Sequence, residues 1–593
     1  MLRCTLKLLG LGMALLLWAL AAGNGGQAGS ALPLNPLGDR LVWFAPNMAG
    51  DTSDFVPPED ARKLFESNAP WPTAKAGIQV FKFYIGVVGG RRNLPIVQAV
   101  QALKAANIAI AVEAGGLRDW ECSGANMAQI ELRTLSAIVQ AAGQLSYLAL
   151  DSPFGHTLAS AIPNPCQYTV DQAAAQLLMY IKGIRQRYPN VKIGLIEPVP
   201  WYTVGDFPSY PGAKYGDLPQ LLDTVLSVLR QGGETLNFFH ADSPYDFNEG
   251  IPDRQGWAKL KALQDFVRSR GMRFGLIFNS DRAGRTSDEL FFRETLLAKA
   301  KFTHAGGDPD DIILQSWYWY PRQWLPENQP YSYTYLVREF LNRQVPVLSL
   351  SASSPSANGT WQLTGTLTDR TGTPITNAPI ELTMTPLSGP GVFAEYTQSD
   401  TVPTGATEAV VGFRVNDECG CAGTSDFTLY EVRYVEGQET TNRVPNGNFS
   451  QGLQGWGFWG TGTARLEIDA NFRQGLHVTA TPAQTASINS SAFSVTAGAT
   501  YTVTFAARVT PVSVGSGYFT VIFLNPSGEG TRVTIPLEPA RVSVGKTTTD
   551  SNGAFQFTLR NLPEGQLLLE ASYPGDGERY LPAWASIRLE SRR

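Results

Sequence analysis

The stretch Ser146-Tyr147-Leu148-Ala149-Leu150-Asp151-Ser152-Pro153-Phe154 is an apolar run that ends in a carboxylate and breaks at once on a proline. A run of that length predicts a buried β-strand, and Pro153 predicts its end. Leu236-Asn237-Phe238-Phe239-His240-Ala241-Asp242-Ser243-Pro244 repeats the pattern downstream. Lys192-Ile193-Gly194-Leu195-Ile196-Glu197-Pro198 lies between them, and Ile108-Ala109-Ile110-Ala111-Val112-Glu113 precedes both. Successive apolar runs therefore end in an acid. Strands that present a polar group at the same end are what a parallel barrel supplies, because every strand C-terminus opens onto one face.

Outward from these runs, short apolar segments alternate with amphipathic helical ones from Leu41 to about Asn342. The strand candidates are Leu41 to Ala45, Ile78 to Tyr84, Ile108 to Glu113, Tyr147 to Asp151, Lys192 to Glu197, Leu236 to Ala241, Phe274 to Asn279 and Ile312 to Trp317. Helical stretches such as Val170 to Tyr188 and Leu218 to Arg230 follow most of them, with apolar residues at three and four spacing. Eight such units predict a (β/α)8 barrel over residues 38–344. Past Val345 the sequence turns to Thr, Ser, Gly and Val with no helical period, which predicts an all-β half. The expected fold class is a multidomain chain, an α/β TIM (β/α)8 barrel followed by all-β sandwich domains. A length of 593 residues agrees, since roughly 150 residues per domain predicts about three or four.

Arg3 and Lys7, the apolar run Leu8 to Ala22, and the small residues Ala21-Ala22-Gly23 and Ala28-Gly29 predict a secretory signal peptide over residues 1–30, and hence a secreted, extracellular protein. No later stretch is long and apolar enough to span a bilayer, so no transmembrane anchor is expected after the signal is removed. The remaining cysteines are Cys122, Cys166, Cys419 and Cys421. Cys122 follows the Glu113 strand and Cys166 the Asp151 strand, so in a barrel they lie on neighbouring loops, and a loop-pinning disulfide is expected. Cys419 and Cys421 are one residue apart, where a bridge is strained; a tight disulfide and a free pair both stay open. Four His in the whole chain argue against a zinc site. The net charge of −5 offers no basic field for nucleic acid. With 13 Trp and 21 Tyr, a neutral polymer such as a carbohydrate is the better partner.

Trp361-Gln-Leu-Thr-Gly-Thr-Leu-Thr-Asp369 and Ala378-Pro-Ile-Glu-Leu-Thr383, with Thr547-Thr-Thr-Asp550, Gly553-Ala-Phe-Gln-Phe-Thr-Leu559 and Tyr573-Pro-Gly-Asp-Gly577, resemble the front and back halves of one bacterial Ig-like sandwich. The resemblance implies a split domain, residues 346–386 and 541–593, interrupted by residues 387–540. Within the interruption, Asn446-Gly-Asn-Phe-Ser-Gln-Gly-Leu-Gln-Gly-Trp456 resembles the opening strand of jelly-roll carbohydrate-binding modules, and Val402 to Asn416 with Phe427 to Tyr434 resembles their closing strands. The closing strands come first, which implies a circularly permuted jelly roll; two ordinary small β domains are the alternative. Aromatics of such modules bind glycan, so Trp459 is a binding candidate, whereas Trp456 is expected to pack the core.

The barrel resembles the glycoside hydrolase superfamily of (β/α)8 enzymes in its acidic strand ends and in the aromatic run Trp317-Tyr318-Trp319-Tyr320. The Asn-Glu and Glu of the commonest clan are missing at strands four and seven. The closest formal match is a clan with Asp at strands four and six, through Asp151 and Asp242. The resemblance implies hydrolysis of a polysaccharide or glycoconjugate by two carboxyl groups, one protonated to supply the leaving oxygen and the other ionised to attack the sugar or activate water. No metal or organic cofactor is needed. The catalytic candidates are Asp151, Glu197 and Asp242, with Asp151 and Glu197 the first pair, and Asp51 and Asp281 lie further out. Turn chemistry beside Pro153, Pro198 and Pro244 is the bland alternative. The substrate-binding candidates are Glu113, Trp201, His240, Asn279, Trp317, Trp319, Tyr320 and Trp459, with Trp43 and Lys82 on the floor. The rival function is a non-catalytic secreted glycan-binding or cell-surface scaffold protein.

Overall fold

The computed structural model describes residues 39–48, 59–90, 95–161, 163–210, 213, 215–251, 255–356, 358–388, 391–415, 424–468, 473–481, 484–510, 517–527, 530–537 and 540–591. The expected signal peptide, Asp51, Cys419 and Cys421 lie outside the described residues.

Eight parallel strands close on themselves in chain order: β1 (Leu41–Ala45), β2 (Val80–Tyr84), β3 (Ala109–Ala114), β4 (Leu145–Asp151), β5 (Lys192–Pro198), β6 (Phe238–Asp242), β7 (Arg273–Phe278) and β8 (Asp311–Gln315). Each predicted strand is present with ends within two residues. β8 returns to β1 with Leu41 opposite Asp311 and Ala45 opposite Gln315. Alternation sends every second side chain inward. Trp43, Val80, Ala111, Tyr147, Ala149, Ile196, Phe238, Ile277 and Ile313 fill the interior, so the barrel is a packed core and not a pore. Gly194 belongs to that interior because a Cβ there would lie 2.2 Å from the Phe238 ring.

The crossover helices cover the outside, among them Gly124–Gln140, Val170–Arg187, Leu218–Gln231, Gly256–Ser269 and Asp288–His304. Their starts are written in the sequence. Thr169 and Gln172 form a reciprocal capping box, and Asp217, Ser287 and Ser332 each accept a backbone N–H of the first turn, contacts worth about 1 kcal/mol apiece.

The all-β half forms two sandwiches, one carried inside the other. In the outer one, Trp361–Thr368 pairs antiparallel with Ala554–Leu559, placing Gly365 opposite Phe555. Pro379–Pro386 lies between Val542–Thr548 and Gly565–Tyr573 in the facing sheet. Leu363, Leu367, Ile380, Leu382, Phe555, Phe557, Leu567 and Leu569 share its core, so segments from both sides of the interruption build one hydrophobic unit. The inner sandwich packs a five-stranded sheet, which includes Ser425–Glu436 and Thr500–Val509, against a six-stranded one that includes Glu408–Val415 and Gly517–Leu524. Phe413, Phe427, Phe505 and Phe519 meet between the sheets. The outer sandwich is tied to the barrel by a backbone exchange in which Gln344 N–H donates to Arg579 O and Leu581 N–H to Gln344 O, both at 2.8 Å.

Candidate active site

The interior residues fix which strand-end side chains converge. Tyr84, Glu113, Asp151, Asp242 and Gln315 share the inward parity of the core, and Asn279 and Trp317 continue it just past β7 and β8. Five of the residues named from sequence, Glu113, Asp151, Asp242, Asn279 and Trp317, thus meet at the C-terminal mouth, where a parallel barrel places its chemistry.

The three acids of this ring sit in different surroundings. Asp151 pairs with Arg118, whose Nη2 donates to Oδ2 at 2.8 Å, and its side chain stays 27% exposed. Asp242 receives the neutral amide of Asn279, Nδ2 to Oδ1 at 3.4 Å. Burial pushes the Asp242 carboxyl up to about 8, and the charges of Asp151 and Glu113 push it the same way. Glu113 lies beneath them with both oxygens engaged. Lys82 Nζ donates to Oε2 at 2.6 Å, Gln315 Nε2 to the same oxygen at 2.8 Å, and Trp317 Nε1 to Oε1 at 2.9 Å. Lys82 also donates to Gln315 Oε1 at 2.6 Å, and Gln315 to Tyr84 Oη at 3.2 Å. Glu113 therefore holds the Trp317 indole in place.

Other residues fall elsewhere. Ile196 faces the barrel interior, so Glu197 points away from the axis. It is fully buried, with Phe154 N–H donating to Oε1 at 3.1 Å and Tyr202 Oη to Oε2 at 2.7 Å. Burial raises its carboxyl to about 8, against the pull of those two donors. His240 does point inward, but one layer below the mouth. It is fully buried against Trp43 and Phe238, and its Nε2 lies 3.3 Å from Asp311 Oδ2 at the start of β8. Trp201 packs edge-on against Tyr210 and Phe247. Trp319 is exposed, and Tyr320 accepts the Ser316 hydroxyl through its carbonyl at 2.6 Å. Trp459 stands 58% exposed on the inner sandwich, whereas Trp456 is buried with Nε1 donating to Asn446 O at 3.1 Å.

Cys122 and Cys166 are bonded, with Cα atoms 5.5 Å apart, and the bridge ties the loop after β3 to the loop after β4. Arg118 sits on the first of these loops, its carbonyl 3.7 Å from Cys166 Sγ. Nothing in the sequence marks Arg118 as a partner of Asp151; only the adjacency of the two cysteine-bearing loops points to it. Tyr318 is a second such residue. Its hydroxyl donates to Asp281 Oδ2 at 3.0 Å, Arg285 lies 4.3 Å above its ring, and the charge of Asp242 helps to raise its phenol. Among the described residues, no group of three or more His, Cys, Asp or Glu side chains is arranged to hold a metal ion.

No family model matches the chain, and no curated protein matches it. Among solved structures it is similar to a fungal β-1,4-galactanase at 11% identity, covering 46% of this chain and 88% of that one with a TM-score of 0.30. An endoglucanase from Humicola insolens follows at 14% identity, 39% and 76% coverage and a TM-score of 0.25. A D-psicose 3-epimerase from Clostridium cellulolyticum stands at 9% identity, 46% and 84% coverage and a TM-score of 0.27. The first two are glycoside hydrolases and the third is an epimerase. The chain itself forms a closed eight-stranded barrel whose mouth gathers two carboxyl groups, one beside a cation and one beside an amide.

Proposed function

We propose that the barrel hydrolyses glycosidic bonds in a polysaccharide or glycoconjugate, with Asp242 as the general acid and Asp151 as the ionised partner. The observation that carries this is the unequal setting of two carboxyl groups at one barrel mouth. Asp242 is held up to about 8 and keeps its proton at neutrality, while Asp151 lies against the Arg118 guanidinium. A carboxyl group that keeps its proton, set beside one paired with a cation, divides acid and base work between the two. The protonated Asp242 gives its proton to the leaving oxygen as the bond breaks. Asp151 stabilises the positive charge that develops on the sugar, or attacks it, or takes a proton from water. Trp317, fixed through Glu113, Lys82 and Gln315, offers an oriented indole face to the sugar ring.

The chain is secreted in this proposal, on the strength of its N-terminal sequence pattern. The outer sandwich is an Ig-like spacer, supported by the pairing of Trp361–Thr368 with Ala554–Leu559 across the interruption. The inner one is a permuted jelly roll that holds glycan at Trp459, supported by the exposure of that indole on the edge strand Trp456–Gly460. Incubation of the purified protein with soluble galactan, xylan and β-1,3-glucan, alongside Asp151→Asn and Asp242→Asn, tests the chemistry. Cleavage that is lost in both variants supports the assignment. Binding without cleavage by the unmodified chain makes it a glycan-binding scaffold instead.

A further inference from the structure

Trp120 is the most exposed tryptophan among the described residues, at 63%. A single exposed indole is ordinary surface. What sets this one apart is how firmly its support is tied. Trp120 is the third residue of a turn that opens at Arg118 and closes where Glu121 N–H donates to Arg118 O at 3.2 Å. Leu117 anchors the turn in the core, Arg118 pairs with Asp151, and Glu121 Oε1 accepts Ser123 N–H at 2.9 Å. Cys122 is bonded to Cys166, and its carbonyl accepts the Tyr168 hydroxyl at 3.0 Å. A large apolar side chain on so constrained a base has already lost much of the freedom that binding would otherwise cost.

The strand order supplies the second observation. β4 and β8 are four strands apart in a closed ring of eight and so face each other across the mouth. The Arg118–Asp151 pair brings the Trp120 turn to the tip of β4, and Trp319, 38% exposed, follows β8 by four residues. Both indoles thus belong to loops at the C-terminal face, one on the loop pinned to the tip of β4 and the other on the loop that leaves β8.

We propose that Trp120 and Trp319 are the two ends of an extended binding path across the barrel mouth, so that the substrate is a glycan polymer held on both sides of the bond that breaks. The apolar face of a pyranose ring stacks on an indole, and such contacts remote from the reacting centre are felt only by a substrate long enough to reach them. The path rests on the glycosidase proposal above for the bond it positions, but not for the binding itself.

The test compares Trp120→Ala, Trp319→Ala and the double variant with the unmodified full chain, each first shown to melt as one folded species. For a polymer that is cleaved, kcat/KM is measured on the polymer and on the shortest oligosaccharide that is cleaved. Each single substitution lowers the ratio of the two by roughly twofold to tenfold, the worth of one aromatic stacking contact, and the double substitution by about the product. A ratio unchanged in the double variant, or a loss shared equally by long and short substrates, overturns the path. If the unmodified chain cleaves none of galactan, xylan and β-1,3-glucan, the glycosidase proposal fails by itself, and the same variants are run through gels containing each polymer. Retardation of the unmodified chain that Trp120→Ala and Trp319→Ala weaken keeps the path; retardation that both leave intact, or none at all, overturns it.

Discussion

Arg118 and Asp151 are joined by a 2.8 Å ion pair that spans from the loop after β3 to the tip of β4. Two strands further round the ring, Asp242 has the amide of Asn279 where Asp151 has a guanidinium. The asymmetry between the two acids arises from these partners and from burial, and it sets how the site responds to pH and to substitution.

Asp242 must keep its proton to act as the acid, so kcat/KM falls as pH rises through about 8, the value to which burial and the nearby carboxylates push it. Asp151→Asn removes one of those charges and lowers the Asp242 value. Carbon NMR titration of the Asp242 carboxyl in both proteins reads this directly. A value in the ordinary carboxylate range in the unmodified chain contradicts the assignment.

Glu197 faces away from the barrel axis, so Glu197→Gln is expected to keep cleavage within a few-fold. Its effect is on stability. The Glu197 carboxyl is raised from an ordinary 4.5 to about 8 in the fold. Its contribution is therefore complete below pH 4.5 and is lost as pH rises through 8, a loss on the order of a few kcal/mol. Urea unfolding between pH 5 and 9 should show that loss in the unmodified chain and a flatter profile in Glu197→Gln.

The Cys122–Cys166 bridge closes a sequence separation of 44 residues and fixes the loop that carries Arg118. Replacing both cysteines with Ser costs about 4 kcal/mol by loop-closure entropy. Arg118→Met, with the bridge intact, leaves Asp151 without its cation at the mouth. Both changes should lower kcat, but only the first should lower the melting temperature by several degrees. Equal melting temperatures for the bridged and unbridged chains would count against the loop as the support of Arg118.

The barrel was legible in the sequence because its strands are continuous apolar runs closed by Asp151, Glu197 or Asp242, and parallel strands covered on both faces read that way. The same feature hid the facing of Glu197. Ile193, Leu195 and Ile196 are all buried, so β5 carries no alternation to tell inward from outward. His240 has the inward parity that its spacing from Asp242 implies, yet it lies one layer down and is held by Asp311, a partner 71 residues away. The Arg118–Asp151 pair is likewise long-range, set by how two loops fold over the mouth and not by any local pattern. In the all-β half, the turn and strand motifs on either side of the interruption marked segments that pair, as Gly365 does with Phe555.

The inner sandwich leaves the outer one between two neighbouring antiparallel strands, with Met384 directly opposite Val542. Residues 389–540 can therefore be replaced by a short turn that keeps the bonds of Leu387 and Ser388 to Gln566 and of Arg541 to Thr383. The shortened chain is expected to fold and to cleave short oligosaccharides at a rate within about twofold, since a loop connection adds little closure entropy. Circular dichroism melting and initial rates check this; an insoluble or unfolded product contradicts the nested arrangement.

The most direct measurement is single-turnover cleavage of a glycan substrate by the unmodified chain, Asp151→Asn, Asp242→Asn and Glu197→Gln at pH 6, with each variant's fold confirmed by its melting curve. The rate is predicted to fall by roughly 10²-fold to 10⁴-fold in each of the two Asp variants and by no more than a few-fold in Glu197→Gln. Undiminished cleavage by Asp242→Asn, or a loss in Glu197→Gln as deep as in Asp151→Asn, would contradict the pairing of Asp151 with Asp242 as the reacting carboxyl groups.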